Sequence, residues 1–150
     1  MTVFRVRQGV PADLPALTNV FVRASLSNRG DREALLAHPE ALVMEPDGVA
    51  EGRTRVATQT NDIVGFATTV LLDGALDLQD LFVDPDWMRH GIGRALVRDT
   101  ADIARRRGIE SVVVTANPHA MAFYEAVGFV PDGEVETLFG PGLRMHLSVG

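Results

Sequence analysis

The 150-residue sequence contains no cysteine and no lysine, and it has a single tyrosine, Tyr124. The absence of cysteine excludes a disulfide framework, a thiolate nucleophile and a cysteine-ligated metal. All 14 basic residues are arginines, so no side chain of this protein carries a primary amine. The only such amine that the chain can offer is the one at its N-terminus.

Long apolar runs are also missing. No stretch approaches the roughly 20 apolar residues that are needed to cross a bilayer. The first residues, MTVFRVRQG, alternate apolar and polar side chains instead of forming the apolar centre of a signal peptide. We therefore expect a cytoplasmic protein without a membrane partner.

Charge and spacing disfavour two further classes of partner. The formal net charge is −6, whereas a protein that binds nucleic acid needs a basic face for the phosphate backbone. The four histidines, at positions 38, 90, 119 and 146, lack the close helical pairing of a metal site. The sequence thus predicts no nucleic-acid partner and no metal, and His146 is interpreted as an ordinary strand residue.

The sequence does contain alternating strand and helix patterns, with period two for strands and a period near 3.6 for helices. The predicted strands span about 3–8, 53–58, 63–71, 75–84, 111–115, 130–138 and 143–149, and the predicted helices begin near Pro11, Asp31, Ile92 and Pro118. Residues 44–52 are predicted as a loop, and 140–142 as a turn. Leu35 and Leu36 are predicted on a buried helix face, and 111–115 as a strand buried on both faces. Without repeats or linkers, we expect one α/β domain over residues 1–150.

A glycine-bearing turn separates the strand at 75–84 from the helix that follows. A helix start leaves up to four backbone N–H groups without partners and carries the positive end of the helix dipole. Glycines there remove side chains that would hold an anion away, so the segment has the chemistry of a pyrophosphate cradle. The candidate residues are Arg89, His90, Gly91, Ile92, Gly93 and Arg94. Taken alone, the glycine pair is equally compatible with tight-turn geometry.

Two common nucleotide-binding motifs do not match this turn. It lacks the Gly-Lys-Ser/Thr ending of a P-loop. Leu96 stands where the dinucleotide-binding fingerprint needs a third glycine or alanine. A nucleotide-binding regulatory domain is therefore disfavoured.

A second segment follows the strand at 111–115 and has the form Asn-x-x-Ala-x-x-x-Tyr-x-x-x-Gly-Phe. It runs from Asn117 through Ala120 and Tyr124 to Gly128 and Phe129. Asn117 suits a helix cap, and a tyrosine at such a position, seen alone, is more often a core residue. Together, the two segments resemble the GNAT superfamily of acyl-CoA N-acyltransferases over about the last half of the chain.

The resemblance implies a fold and a cofactor site. The family has a mixed, mostly antiparallel sheet of six or seven strands, flanked by about four helices, with parallel central strands that splay apart to admit the coenzyme. Its Q/R-x-x-G-x-G/A turn binds the pyrophosphate of coenzyme A through backbone amides, and Met88 replaces the usual Gln or Arg here. This departure removes one side-chain contact but no backbone donor, so we expect acetyl-CoA to bind.

The resemblance also implies roles for residues outside the turn. A strand segment would pair with the pantetheine arm and place an N–H near the thioester carbonyl, where it would stabilise the oxyanion. Asn117 would hydrogen-bond the pantetheine, and Tyr124 would protonate the leaving thiolate, since a phenol with a pKa of about 10 keeps its proton at neutral pH. The implied coenzyme contacts outside the turn are Leu81, Phe82, Val83, Asn117, Ala120 and Tyr124.

The group that accepts the proton of the attacking ammonium is left open. Members of the family place Glu on this strand, at positions that match Asp77 or Gln79 here. Gln79 cannot serve as a base, so Asp77 and Asp80 are the candidate residues, and strand alternation puts them on opposite faces. A solvent-connected water is the remaining alternative.

The sequence therefore predicts an N-acetyltransferase that moves an acetyl group from acetyl-CoA to a primary amine of a small molecule or peptide by direct attack. The alternative is a catalytically silent acyl-CoA-binding sensor or interaction module of the same fold. Tyr124 favours the enzyme, while Met88 and the missing carboxylate at position 79 lend the module some support. Acidic residues between Leu26 and Gly52 hint at a cationic acceptor, although an acidic surface loop needs no such reason. A homodimer is a hypothesis drawn from the habit of the family.

Overall fold

The computed structural model describes residues 4–27, 29–137 and 140–150. These residues form seven strands and five α-helices. The strands are β1 Arg5–Gln8, β2 Thr54–Gln59, β3 Asp62–Leu72, β4 Ala75–Val83, β5 Ser111–Ala116, β6 Val130–Thr137 and β7 Gly140–Ser148. The helices are α1 Leu14–Ser27, α2 Arg29–Ala37, α3 Asp47–Ala50, α4 Ile92–Arg106 and α5 Met121–Ala126. The ends of the predicted strands at Val3 and Leu138 lie outside the described residues.

The strands form a mixed sheet in the order β1-β2-β3-β4-β5-β7-β6. The pairs β1–β2, β2–β3, β5–β7 and β6–β7 are antiparallel, and β4–β5 is parallel. A parallel pair needs a crossover connection, which α4 supplies between β4 and β5. The predicted mixed sheet of six or seven strands, with parallel central strands, is confirmed.

The chain divides into two compact units. The first consists of Met1–Thr68 and Asp80–Leu96, and the second of Thr69–Gln79 and Val97–Gly150. The division falls inside β4 and inside α4, so both elements contribute residues to both units. Whether the chain behaves as one domain stays a prediction.

The first unit has an apolar core between helix and sheet residues. Helical spacing brings Leu17 and Val20 to one face of α1, where they cluster with Val56 and Phe66 of the sheet. Val49 of α3 joins the same cluster and is 3% exposed. The prediction of a plain loop at 44–52 is therefore wrong in part, because burial of Val49 favours a turn of helix there.

The second unit buries one face of β5 and β7. Val112, Val114 and Met145 are each at most 3% exposed, while Thr115 on the opposite face of β5 is exposed. The prediction that 111–115 is buried on both faces is wrong. The second face instead carries polar side chains, among them Arg144 of β7, which bonds Thr115.

Two further local predictions are wrong. Leu36 is 55% exposed while Leu35 is buried, because adjacent helix positions face different directions. The predicted turn at 140–142 belongs to β7, where Gly140 pairs with Thr137 and Gly142 with Val135. A Cβ at Gly142 would lie 2.8 Å from the Thr137 methyl carbon, so close approach within the sheet explains the glycine.

Candidate functional site

The glycine-bearing turn leads into α4 and lies in the first unit. The backbones of Arg89 and Gly91 are in the left-handed region, with φ of +66° and +79°. A Cβ added at Gly91 would meet no heavy atom within 4 Å. The left-handed backbone therefore explains the glycine at position 91, and crowding does not. The space in front of it is open to a ligand.

The backbone N–H groups in the first turn of α4 point out of the N-terminal end of the helix. The Ala95 N–H donates to the Gly91 carbonyl at 3.0 Å. In helix geometry, the preceding N–H groups, those of Ile92, Gly93 and Arg94, point out of the helix end, where the dipole is positive. This arrangement fits a phosphate or pyrophosphate group.

The side chains around the turn are mostly exposed. Arg89, His90 and Arg94 are all in this class, and Met88 is 57% exposed. The His90 ring lies 5.3 Å from the Trp87 ring, centroid to centroid. The fixed part of the cradle is thus the backbone, and the charged side chains surround it in solvent.

The entry to the turn is tied to the rest of the first unit through Asp84. Its carboxylate accepts hydrogen bonds from the Asp86 N–H at 2.9 Å and from Arg23 Nη1 at 2.6 Å. The Asp84 N–H donates to the Val64 carbonyl at 2.8 Å. Arg23 also reaches Asp86 with Nη2, at 2.9 Å. These bonds hold the residues before the turn to α1 and β3.

The predicted pantetheine-contacting residues Leu81, Phe82 and Val83 are half-buried at the end of β4. The Phe82 ring packs edge-to-face on Phe21 at 5.0 Å and lies 5.6 Å from Phe66, centroid to centroid. The side chain of Phe82 therefore belongs to the core of the first unit. A ligand beside this strand would meet its backbone.

Asp80, one of the two candidate bases, lies on β4 in the first unit. Burial raises the pKa of Asp80 above its usual value, and the nearby Arg53 guanidinium partly opposes this shift. A raised pKa makes a carboxylate a stronger base near neutral pH. The role of Asp80 stays a prediction.

The two parallel strands share a short register. Leu76 pairs with Val112 and Asp77 with Val113, although β4 runs on to Val83 and β5 to Ala116. Among the described residues, the register ends at Asp77 and Val113, as expected for the predicted splayed strands.

The second motif lies on α5 and the turn before it, in the second unit. Asn117 Oδ1 accepts a hydrogen bond from the Ala120 N–H at 2.9 Å, in the turn that precedes α5. The N-cap of α5 is Ala120, without a side-chain cap, so the prediction that Asn117 caps this helix is wrong. Tyr124 is 7% exposed, and its ring packs edge-to-face on Phe123 and Phe129 at 5.2 and 5.3 Å. These contacts orient Tyr124 within the unit. Its role as an acid stays a prediction.

Asp77, the other candidate base, belongs to a polar network that spans three strands of the second unit. Arg144 Nη2 donates to Asp77 Oδ2 at 3.2 Å, and Arg144 Nη1 donates to Thr115 Oγ1 at 2.8 Å. The Asp77 side chain is 14% exposed. The carboxylate is thus held by a guanidinium next to the last residue pair of β4 and β5.

A second pair on this face was missed from the sequence. His146 Nδ1 lies 2.7 and 2.9 Å from the two carboxylate oxygens of Asp132. The partners are 14 residues apart on different strands, so no local motif joins them. The alternation of Arg144 and His146 with the buried Met145 is the only signal that could have indicated their shared face.

Two kinds of feature are absent from the parts of the chain that the structure describes. No helix there is long and apolar enough to cross a membrane. Those residues also form no group of three or more His, Asp or Glu side chains that could hold a metal ion.

Solved structures define the class of this fold. The PaiA N-acetyltransferase from Thermoplasma acidophilum, in complex with coenzyme A, has a TM-score of 0.79 at 16% identity, covering 97% of this chain and 99% of that one. The ribosomal-protein-S18-alanine N-acetyltransferase from Escherichia coli has a TM-score of 0.74 at 25% identity, covering 99% and 95%. The fold is that of N-acetyltransferases.

The sequence comparisons give the family. The chain is 41% identical over 76 residues to the ribosomal protein bS18-alanine N-acetyltransferase of Escherichia coli K12, covering 48% of this chain and 51% of that protein. It thus spans about half the length of the curated relatives that it matches. The acetyltransferase (GNAT) family model matches residues 17–129. The chain belongs to this family, which confirms the resemblance seen in the two motifs.

Proposed function

We propose that this protein is an acetyl-CoA-dependent N-acetyltransferase that acetylates a primary amine of a small molecule or peptide by direct attack. The observation that carries the proposal is the turn into α4, where Gly91 faces open space and the helix start offers backbone donors. Membership of the acetyltransferase family supports the same conclusion.

The residues present fit acetyl-CoA as co-substrate. The N–H groups of Ile92, Gly93 and Arg94 would bind its pyrophosphate, with Arg89 and His90 nearby. The pantetheine amides would pair with the backbone of Leu81, Phe82 and Val83, as an added strand does at a sheet edge. Asn117 would contribute a side-chain hydrogen bond to this arm.

The chemistry that we propose is direct transfer. The amine nitrogen attacks the thioester carbonyl carbon, the C–N bond forms, and the C–S bond breaks. Tyr124 acts as the general acid and gives its proton to the leaving sulfur. Asp77 and Asp80 are the carboxylates from which the proton acceptor was predicted, and they differ in environment, since Asp77 is ion-paired with Arg144.

The relatives indicate which class of amine to test as the acceptor. The relative from Escherichia coli is named for the alanine of a ribosomal protein, so a peptide amine is one acceptor class to test. The chain itself has no lysine, and automodification of side-chain amines is excluded.

A second candidate is a silent acyl-CoA-binding module. Gln79 stands where members of the family have a carboxylate, and Met88 replaces the usual polar residue of the turn. Such a module would bind acetyl-CoA but hydrolyse it slowly, with no preference among amines. The enzyme would release coenzyme A at a rate that depends on the amine.

The first experiment is calorimetric titration of the purified protein with acetyl-CoA, with adenosine diphosphate and NAD as controls. Micromolar binding of acetyl-CoA alone is the expected result, and thiol release across an amine library then separates enzyme from module. A protein that binds none of the three would contradict both.

Two further expectations accompany the proposal. A homodimer would pair two copies through the final strands, and a monomeric mass in solution would exclude it. A cytoplasmic location is likewise a prediction, and cell fractionation tests it.

A further inference from the structure

An imidazole and a carboxylate form a close pair on the polar face of the second unit. His146 Nδ1 lies within 2.9 Å of both oxygens of Asp132. An ionised carboxylate only accepts hydrogen bonds, so Nδ1 is the nitrogen that carries a proton in this contact, and in the neutral imidazole the lone pair is on Nε2. A carboxylate that fixes the tautomer and direction of a histidine in this way is the usual support of a histidine base.

A β-bulge brings Asp132 to His146. Val130 pairs with His146, Pro131 with Met145 and Gly133 with Arg144, so Asp132 is an extra residue in β6. Bulges re-aim side chains and are frequent beside active sites. Since β6 is exposed along its length, burial of apolar surface does not explain this one.

His146 lies beside the last residue pair that joins the parallel strands β4 and β5. It pairs with Val113 of β5, and Val113 pairs with Asp77 of β4, the last pair of that register. Two strand spacings place the Cα atoms of His146 and Asp77 roughly 10 Å apart. Directly paired residues share a face, and the neighbours Val112 and Met145 are buried on the other one.

Among the described residues, strand pairing and side-chain contacts place Asp77, Asp132, Arg144 and His146 on this face. Asp77 already accepts a hydrogen bond from Arg144, which also bonds Thr115. His146 is 36% exposed at its side chain. Its ring is therefore reachable from solvent while Nδ1 is held.

We infer that His146 is the base that takes the proton of the acceptor ammonium, with Asp132 as its positioning residue, an inference that rests on the proposed function. The ammonium gives one proton to His146 Nε2 and becomes a neutral amine. Its lone pair attacks the carbonyl carbon, and the sulfur leaves with the C–S electron pair. Tyr124 gives its proton to the leaving sulfur, the nitrogen loses its second proton to water, and Tyr124 takes one proton back from water. His146 also returns its proton to water, so one proton is released overall.

The test compares two classes of acceptor in a His146→Asn variant. Asparagine places an amide N–H near the position of Nδ1, so the contact with Asp132 is kept while Nε2 is lost. An alkylamine is protonated at about pH 7 and needs the base, whereas an arylamine is already neutral. We expect kcat/KM for the alkylamine to fall about 10²-fold or more, and that for the arylamine less than about 3-fold.

The chain offers a matched control. His38 Nδ1 also contacts a carboxylate, Glu40 Oε1 at 3.1 Å, and is exposed. His38→Asn should leave both acceptors unaffected. Asp132→Asn should show the same selectivity for the alkylamine with a smaller loss, about 10-fold, and both variants should bind acetyl-CoA like the wild type.

The outcomes separate the two proposals. Wild-type protein that fails to acetylate either amine contradicts the proposed function and this role with it. An active wild type whose His146→Asn variant loses both acceptors equally, or neither, overturns the role of His146 alone. So does a selective loss of the alkylamine in Asp77→Asn or Asp80→Asn when His146→Asn retains it.

Discussion

The turn into α4 and the polar face of β5 and β7 offer different kinds of chemistry. At the turn, the groups that face a ligand are backbone N–H groups, fixed by the path of the chain around Gly91. On the polar face they are side chains held in pairs, Arg144 with Asp77 and His146 with Asp132. Backbone donors tolerate a change of neighbouring side chain, such as Met88, whereas a paired side chain has no substitute. Mutations in the two regions should therefore affect different properties of the protein, such as kcat and acetyl-CoA binding.

The largest effect is expected at a side chain, in Tyr124→Phe. The phenylalanine ring can keep the edge-to-face contacts with Phe123 and Phe129, while the proton donor is lost. We expect kcat to fall by roughly 10- to 10⁴-fold with acetyl-CoA affinity nearly unchanged. Steady-state kinetics and calorimetry measure the two quantities. Unaltered turnover would remove Tyr124 from the mechanism.

Mutation of the turn into α4 should weaken acetyl-CoA binding instead of lowering kcat. A leucine at Gly91 would cover the open cradle, and we expect the dissociation constant of acetyl-CoA to rise about 10- to 100-fold. It also forces an L-residue into the left-handed region, at a cost of roughly 1–2 kcal/mol in the free energy of unfolding.

Gly74 provides the control for that strain. Its φ is +80° and it also faces open space, in the turn between β3 and β4. Gly74→Leu should destabilise the protein as much as Gly91→Leu does, and leave acetyl-CoA binding intact. Equal losses of affinity in both variants would mean that strain, and not the cradle, weakens binding.

Asp80 gives a pH-dependent prediction. Because burial raises its folded pKa, the ionised carboxylate destabilises the folded state once the pH rises through that pKa. Asp80→Asn cannot ionise, so its free energy of unfolding should exceed that of the wild type at about pH 7. The difference should shrink as the pH falls to about 4, near the unfolded pKa of aspartate. Urea unfolding at several pH values measures it.

Asp77→Asn makes the same chemical change at the other candidate base and is the control for Asp80→Asn. It removes the negative charge that pairs with Arg144 in a nearly buried position and leaves only a neutral amide acceptor, so we expect it to lower stability, by about 1–3 kcal/mol. If Asp77→Asn raised the free energy of unfolding, the ion pair with Arg144 would not stabilise the fold. If the gain in free energy of unfolding from Asp80→Asn persisted at acid pH, ionisation of the buried Asp80 would not be its cause.

The sequence was informative where chemistry depends on local spacing. The glycine turn, the Asn117 side-chain bond in the turn before α5 and the strand–helix–strand order around α4 follow from neighbouring residues, and the family model spans them. The failures lie where distant residues decide. The helical turn at 47–50 depends on Val49 joining a core from α1 and β3, and the pairing of His146 with Asp132 depends on a bulge in β6. Neither contact leaves a periodic signal in the chain.

The smallest expected effect tests how little the turn depends on side chains. Met88 is 57% exposed and stands where the family has Gln or Arg. Met88→Arg would add one cation beside the cradle, in solvent, where a charged contact is worth about 0.2–1 kcal/mol. We expect acetyl-CoA to bind about 2- to 5-fold more tightly at low salt, and the gain to vanish at high ionic strength.

Met121→Arg separates a local contact from the change in net charge. Met121 is also an exposed methionine, 38% exposed at the start of α5, and its replacement changes the formal charge of −6 by the same amount. If both variants tighten binding equally, the gain is a general charge effect. If Met88→Arg tightens it by more than about 30-fold, side chains govern binding at the turn, and the contrast between a backbone cradle and a side-chain face is wrong.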